Sequence, residues 1–326
     1  MAAMRQPEVS VVIPVYGSAG ILPELVRRLE EQLEPVFGAE GYEVLLVDDC
    51  GPDRAWLAIA SLAQDRPWLR GIELRSNVGQ HNAIMAGLRR ARGRCIVTMD
   101  DDLQHDPADV PRLVKSLGQG YDLCYAQFED RQHALWKRLG SRFNDFVAGR
   151  LLKKPKGLYL SPFRAFRDDV RDDVLRYEGP FVYLDGLLLQ SAGRITTIVT
   201  HHHARSDGKS GYSLHKSISL WLKMATSFSV TPLRFVTIAG MVASLFGFAL
   251  ALWVFVEKML SPEIAVGWSS LIISVLLMGG FQLLALGAIG EYIGRILLTL
   301  NNRPQYLVRG TVNFDDGDRG VRDRAQ

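Results

Sequence analysis

The chain has 326 residues, 48% of them hydrophobic and 22% charged, with a formal net charge of +3 at pH 7. That is enough apolar material for one large domain and something more, and so small a net charge argues against a nucleic-acid partner. The average conceals two regimes: the first two thirds have the mixture of a water-soluble protein, whereas Phe235 to Val256 and Ile264 to Gly290 each run without an Asp, Glu, Lys or Arg. In chain order, Val9 to Val15 is an apolar run closed by Pro14 and the pair Tyr16-Gly17, which predicts a buried strand. An amphipathic helix follows from Ile21 to Leu33. Tyr42 to Val47 repeats the strand pattern and ends in Asp48-Asp49, and Trp56 to Gln64 has helical spacing. A third strand, Gly71 to Leu74, leads into Asn77-Val78-Gly79; the helix from Gln80 to Arg90 precedes a fourth strand, Cys95 to Met99, which ends in Asp100-Asp101-Asp102. This alternation predicts an α/β fold with a mainly parallel sheet covered by helices. Ligands of such sheets bind outside the carboxyl ends of the strands, where both acidic clusters fall.

Further along, Arg131 to Lys156 is basic and helical, and Ile195 to His201 predicts another strand. From Ser213 to Thr231, Leu214, Ile218, Trp221, Leu222, Ala225 and Phe228 recur at helical spacing with Lys216 and Lys223 interleaved, which suits a helix lying in a membrane interface. Each of the two charge-free runs exceeds the about 20 residues that a helix needs to span a bilayer. No charged segment followed by a short apolar stretch opens the chain. Lys216, Lys223 and Arg234 precede the first run and Arg295, Arg303 and Arg309 follow the second, while the loop between them carries Glu257, Lys258 and Glu263. That asymmetry places both termini in the cytoplasm. The expected division is a catalytic domain over 1–212, an amphipathic helix over 213–232, a transmembrane hairpin over 233–294 and a cytoplasmic tail over 295–326, disordered from Asp315. Cys50, Cys95 and Cys124 show no metal-ligand spacing, fit a reducing compartment and are read as core residues.

Three successive carboxylates at a strand end repel one another unless a cation sits beside them. Side chains alternate along a strand, so Asp100 and Asp102 share a face and Asp101 points away. Mg²⁺ or Mn²⁺ accepts such hard oxygen ligands, completed by substrate phosphates, and would neutralise a diphosphate leaving group. The competing reading is a solvated acidic turn ahead of the helix at Pro107, with Asp106 as its cap. Asp48 and Asp49 could accept hydrogen bonds from a ribose or a base, or could cap a helix beside the turn Gly51-Pro52-Asp53. Asn77 and Gly79 form a tight turn that also lets a ligand approach the backbone.

Taken together, the blocks SVVIPVYG, LLVDD, LRSNVGQHNAIMAG and TMDDDLQHDP, then HHHARSDGKSGYS, TPLR before the first apolar run and GEYIGRILLTLNNRPQYLV after the second, resemble the family 2 glycosyltransferases of the polyprenyl-phosphate type. The likeness runs from Val9 to Val308. It implies a GT-A fold of Rossmann-like character and an inverting, metal-dependent transfer of a sugar from a nucleotide sugar, a UDP-sugar by preference, to polyprenyl phosphate. In a bacterial setting that lipid is undecaprenyl phosphate, met at the cytoplasmic face of the inner membrane. It also implies that Pro14, Tyr16, Asp48 and Asp49 line the nucleotide pocket, with Asn77, Gly79 and Asp101 beside the nucleotide sugar. Asp100 and Asp102 match the family's D-x-D, and Gln104 adds a metal or phosphate contact. Arg205 and Ser210, flanked by Gly208 and Gly211, match a basic loop that closes over the diphosphate or the acceptor phosphate. Arg131, Lys137 and Arg138 match positions near the acceptor phosphate, where a basic solvated helix is the alternative.

Two departures stand out. The family has a small residue where Asp101 stands, which leaves open whether Asp101 adds metal affinity or points into solvent. Relatives often carry an Asp shortly before the Arg of an F-R motif, whereas this chain reads Gly157-Leu158-Tyr159-Leu160-Ser161-Pro162-Phe163-Arg164. Asp185 could replace that acid as a base, or none is needed, because a phosphate monoester with its second pKa at about 6 is largely dianionic at neutral pH. His201-His202-His203 is read as structural, since only His201 and His203 share a face of a strand. Polar Gln282 and Glu291 lie in or at the end of the second run, Glu291 at the interface. Gly240, Gly247, Gly279 and Gly280 offer close-approach surfaces for a homo-oligomer. A transferase acting on another membrane acceptor, or a non-catalytic lipid-binding scaffold of the same fold, are the competing functions.

Overall fold

In the computed structural model the described residues are 6–128, 155, 158–180, 182–200, 231–260, 267–301 and 304–314. Strands β1 (Val9–Val15) and β2 (Tyr42–Asp48) bury all of their residues. Continuous apolar runs of this kind are what a strand covered on both faces requires. The two pair in parallel, Val9 opposite Tyr42 and Val15 opposite Asp48. β3 (Leu69–Leu74) joins β2 and β4 (Cys95–Thr98) joins β1, again in parallel. Helices α1 (Leu22–Phe37), α2 (Ala55–Ala63) and α3 (Gln80–Arg90) make the crossovers between these strands. Helix α1 turns Leu22, Leu25, Val26, Leu29 and Leu33 inward. Helix α3 lies so close to β1 that a β-carbon on Gly87 would come within 2.4 Å of a Val12 methyl, which fixes glycine there.

A 3₁₀ turn at Pro107–Asp109 and helix α4 (Val110–Leu117) lead into β5 (Leu123–Phe128). Beyond it come β6 (Arg164–Arg167), α5 (Asp168–Leu175), α6 (Leu184–Ser191) and β7 (Ile195–Thr200). After the long helices α7 (Thr231–Leu260) and α8 (Trp268–Leu300), β8 (Val308–Val312) completes an eight-stranded sheet of order β7-β5-β6-β4-β1-β2-β3-β8. The centre of the sheet is parallel, as expected. Its flanks are mixed: β6 runs antiparallel to both β4 and β5, and β8 antiparallel to β3.

Strand β3 begins at Leu69, two residues before the expected start, because Arg70 is a core residue. Arg70 is 1% exposed and Glu43 is 3% exposed. Their ion pair closes at 2.8 Å, and Glu43 also accepts the Ser10 hydroxyl and the Arg92 N–H, each at 2.6 Å. The Phe314 ring lies 3.8 Å from the Arg70 guanidinium. Asn313, at φ +60, sets its amide nitrogen 2.7 to 3.0 Å from the carbonyls of Ala63, Arg66 and Leu69. Gln305 donates to the carbonyls of Tyr177 and Gly179. The segment expected to stand apart as a tail, 295–326, thus supplies the end of α8 and a strand that covers the β3 edge.

The chain divides into two units, residues 1–211 with 302–326, and residues 212–301. In the second unit Phe246, Phe248, Trp253 and Leu283 are about 70% exposed. Leu277–Leu298 is a helical stretch long and apolar enough to cross a membrane, and Val236–Ala249 is a shorter apolar one. The amphipathic helix expected ahead of α7 lies outside the described residues.

Removing one partner from a buried ion pair strands the other charge. Glu43→Ala is therefore expected to destabilise the detergent-solubilised protein by about 3–5 kcal/mol in a urea titration. Glu43→Leu with Arg70→Met is expected to recover much of that loss. A double variant no more stable than Glu43→Ala would overturn this account of the pair.

Candidate functional site

Parallel strands deliver their carboxyl ends to one edge of the sheet. There the ends of β1, β2 and β4 and the loop after β3 enclose a cleft of about 290 Å³. Pro14, Val15, Tyr16, Asp49, Asn77, Gly79, Gln80, Asp100 and Asp101 line it. Six of the residues expected at the nucleotide sugar, together with the expected metal ligand Asp100, are thus brought together. Asp48, Asp102 and Gln104 belong to the same strand ends but are not part of the lining.

Asp49 is buried, and its two oxygens accept the N–H groups of Val78 at 2.7 Å and Gly79 at 2.9 Å. Gly79 takes φ +85, so the expected tight turn exists and Asp49 is what fastens it. Burial pushes the Asp49 carboxyl up, and the two N–H groups oppose that shift. Asp48 is buried at the end of β2, where it accepts the Gly51 N–H at 3.4 Å. Burial raises its pKa, with the charges of Glu73, Asp53 and Asp49 adding.

β4 ends at Thr98, so the triplet lies in the bend beyond it, and its three side chains meet different partners. Asp101 turns away from its neighbours and accepts the Tyr16 N–H at 3.1 Å and the Ser18 hydroxyl through one oxygen. Asp102 accepts the Gln104 N–H at 3.2 Å, closing a turn in which Leu103 takes φ +60. Asp100 faces the start of α3 and accepts the Gln80 side-chain amide at 2.6 Å. Burial, reinforced by the charges of Asp102 and Asp101, pushes Asp100 up to about 7. Capping of the turn at Pro107 falls to Asp106, which accepts the Ala108 N–H at 3.0 Å, so the triplet is not spent on a helix end.

A divalent ion suits this chemistry. Asp100 and Asp102 offer hard oxygen donors, and burial with the charges of Asp102 and Asp101 outweighs the Arg164 guanidinium in holding the Asp100 carboxyl up at about 7. Among the described residues no group of three or more His, Cys, Asp or Glu side chains could hold a metal. An ion bound here would complete its shell with substrate phosphate, water and any Gln104 contact.

Three contacts escaped sequence reasoning. Gln80 follows the recognised glycine and grips Asp100. His105, buried and next to Gln104, accepts the Asp100 N–H at Nδ1 at 3.0 Å and stacks on Phe163 with ring centroids 5.1 Å apart. The third is a polar network on the β4, β5 and β6 strands: buried Arg164 donates to the Thr98 hydroxyl at 3.2 Å and pairs with Asp185, which also accepts the Tyr125 hydroxyl at 3.1 Å. Asp185, weighed as a replacement base, is engaged in holding Arg164. His105 after the acidic triplet and the F-R pair Phe163-Arg164 were the available signals in the sequence. Cys124 is buried and Cys95 half-buried, but Cys50 is exposed in the turn after β2 at φ +53, against the expectation of a core position. Arg131, Lys137, Arg138, His201 to His203, Arg205 and Ser210 lie outside the described residues.

Because the folded state raises the Asp100 pKa to about 7 from 3.8, it binds a proton that the unfolded chain has released. Stability of the metal-free protein should accordingly fall as pH rises through that window. Thermal midpoints measured in chelator from pH 5 to pH 8 are expected to decline in the wild type and to decline less in Asp100→Asn. Parallel profiles in the two proteins would contradict the assignment.

The "Glycosyl transferase family 2" profile matches residues 10–175, from β1 through α5. The chain is 35% identical over 311 residues to the undecaprenyl-phosphate 4-deoxy-4-formamido-L-arabinose transferase of Yersinia enterocolitica, covering 94% of each protein. Proteins of the same name from Salmonella choleraesuis and Edwardsiella ictaluri are 34% and 35% identical, covering 94% and 95% of this chain and 94% and 96% of their own lengths. With a GT-A-like α/β sheet, a cleft at its strand ends and relatives over nearly its full length, this chain is a glycosyltransferase and belongs to glycosyl transferase family 2.

Proposed function

We propose that the protein transfers one sugar from a nucleoside diphosphate sugar, a UDP-sugar by preference, to a polyprenyl phosphate, undecaprenyl phosphate in a bacterial membrane. One observation carries the acceptor: relatives named for transfer to undecaprenyl phosphate align with 94% of this chain, so the likeness extends through the apolar α7–α8 region as well as the catalytic sheet. A lipid acceptor gives these helices a reason to exist in the same chain. We read them as a transmembrane hairpin with both termini cytoplasmic, preceded by an interfacial helix.

In this reading Pro14, Tyr16, Asn77 and Gly79 seat the nucleotide. Asp49 acts through the turn that it fastens, and Asp48 acts beside it from the end of β2, where it accepts the Gly51 N–H. Asp100 and Asp102, with Gln104, hold Mg²⁺ or Mn²⁺, and Gln80 and His105 fix Asp100 from its side chain and its backbone. The ion, when bound, neutralises the departing diphosphate. Arg205 and Ser210 close over the phosphates, and Arg131, Lys137 and Arg138 grip the acceptor phosphate. One oxygen of the acceptor phosphate attacks the anomeric carbon from the face opposite the leaving group; that C–O bond forms as the bond to the nucleoside diphosphate breaks, and the centre inverts. A phosphate dianion carries no proton on the attacking oxygen, so the reaction proceeds without a protein base. The absence of an acid at Leu158 and the commitment of Asp185 to Arg164 are compatible with that chemistry.

The test is transfer of radiolabelled sugar from a panel of nucleotide sugars to undecaprenyl phosphate in detergent, with and without Mn²⁺. Metal-dependent labelling of the lipid is expected from one donor. Asp102→Asn is expected to reduce it by roughly 100-fold or more, since metal stabilisation of the transition state is worth several kcal/mol. Labelling of diacylglycerol in place of the polyprenyl phosphate, or metal-independent labelling, would overturn the corresponding part of the proposal.

A further inference from the structure

The loop that leaves β1 forms one wall of the cleft through Tyr16, whose side chain is 57% exposed. Its backbone has freedom to lose, because Gly17 takes φ +74. Two carboxylates hold this loop from opposite ends. Asp53 accepts the Ala19 N–H at 2.7 Å, and Asp101 accepts the Tyr16 N–H at 3.1 Å together with the Ser18 hydroxyl. The Asp101 contacts cross 85 and 83 positions of sequence, so they join the end of β4 to the end of β1 at the cleft itself. The other two acids of the triplet meet other partners, Asp100 the Gln80 amide and Asp102 the Gln104 N–H.

We propose that Asp101 is a positioning residue for the donor nucleotide: it locks the Tyr16–Ser18 turn as a preformed wall of the cleft, and it is not a metal ligand. A wall fixed before binding spares the complex the entropy of ordering it, so Asp101 governs nucleotide affinity and gives the metal no ligand of its own. The inference rests on the reading of the cleft as a nucleoside diphosphate site only for its consequence. The lock itself is a property of the free protein.

The experiment therefore has two readouts on the full-length protein in detergent. The first is amide hydrogen exchange in the peptide covering residues 15–20 without ligand. Asp101→Ala is expected to speed exchange about ten-fold or more, the scale of losing hydrogen bonds to a charged acceptor. Asp101→Asn, whose side-chain oxygen still accepts both bonds, is expected to remain close to the wild type, with Ser18→Ala between the two. The second is calorimetric titration with UDP at saturating Mn²⁺, and with Mn²⁺ alone. Asp101→Ala is expected to weaken UDP by about ten-fold, Asp101→Asn by much less, and neither to weaken Mn²⁺ binding as far as Asp102→Asn does, since only a charge nearby and not a ligand is lost. Unchanged exchange in Asp101→Ala overturns the lock whatever the nucleotide result. Mn²⁺ binding weakened by Asp101→Asn as far as by Asp102→Asn overturns the exclusion of Asp101 from the metal site. A wild-type protein that binds no UDP counts against the donor reading, while the exchange measurement still decides the lock.

Discussion

Crowding of carboxylates at one edge of a parallel sheet is the constraint on which the site depends. Asp48, Asp49, Asp53, Asp100, Asp101 and Asp102 all gather where β1, β2 and β4 end, and several are removed from water. A buried carboxylate must find donors or give up its charge. Backbone N–H groups solve the problem for Asp49, a backbone N–H meets one oxygen of Asp53, and a backbone N–H with a hydroxyl solves it for Asp101. Each of these acids thereby ties one loop of the cleft to another. Asp100 has the neutral amide of Gln80, and burial beside Asp102 and Asp101 leaves its pKa at about 7. The same repulsion that makes the cluster costly thus assembles the walls and leaves one acid poised for a cation.

Buried arginines play the complementary part in the flanks of the sheet. Arg70 on β3 and Arg164 on β6 are each about 1% exposed, and each is paired with a buried acid. Neither pairing is interchangeable with an apolar contact once one partner is fixed, because the other would be left as an isolated charge. The Arg70–Glu43 pair joins β3 to β2, and Phe314 lies over its guanidinium beside β8. The Arg164–Asp185 pair joins β6 to α6, with Thr98 of β4 and Tyr125 of β5 in the same network. The two antiparallel additions to the sheet are therefore marked by charge inside the protein, where hydrophobic patterning does not reach.

That explains which parts of the structure were legible in the sequence. β1 and β2 are mainly apolar runs, broken only by Ser10, Glu43 and the terminal Asp48, and α3 has clear helical spacing, so burial dictated them. β6 reads Arg-Ala-Phe-Arg and β8 reads Val-Arg-Gly-Thr-Val, and neither has the pattern of a strand until its partners are known. The position of the site followed from where parallel strands end, and the motif blocks located its acids. The role of each acid was less accessible, because Asp49 and Asp101 depend on the direction of loops 30 and 85 positions away. Alternation along β4 did indicate that Asp101 parts from Asp100 and Asp102, but it could not say what Asp101 meets.

The partial protonation of Asp100 ties the metal to the donor. Filling the site with a divalent ion requires the carboxylate form, so binding near neutral pH releases protons and grows stronger as pH rises. In the proposed site Asp100 and Asp102 are the two carboxylates, and among the described residues no group of three or more His, Cys, Asp or Glu side chains could hold a metal. An ion with a preference for six oxygen ligands is then held weakly by the protein alone and more firmly once a diphosphate adds its own oxygens. Metal and nucleotide become cooperative partners through shared coordination, without any change in the fold. The locked wall at Tyr16 favours the nucleotide half of that pair, and Gln80 and His105 hold Asp100 in place for the metal half.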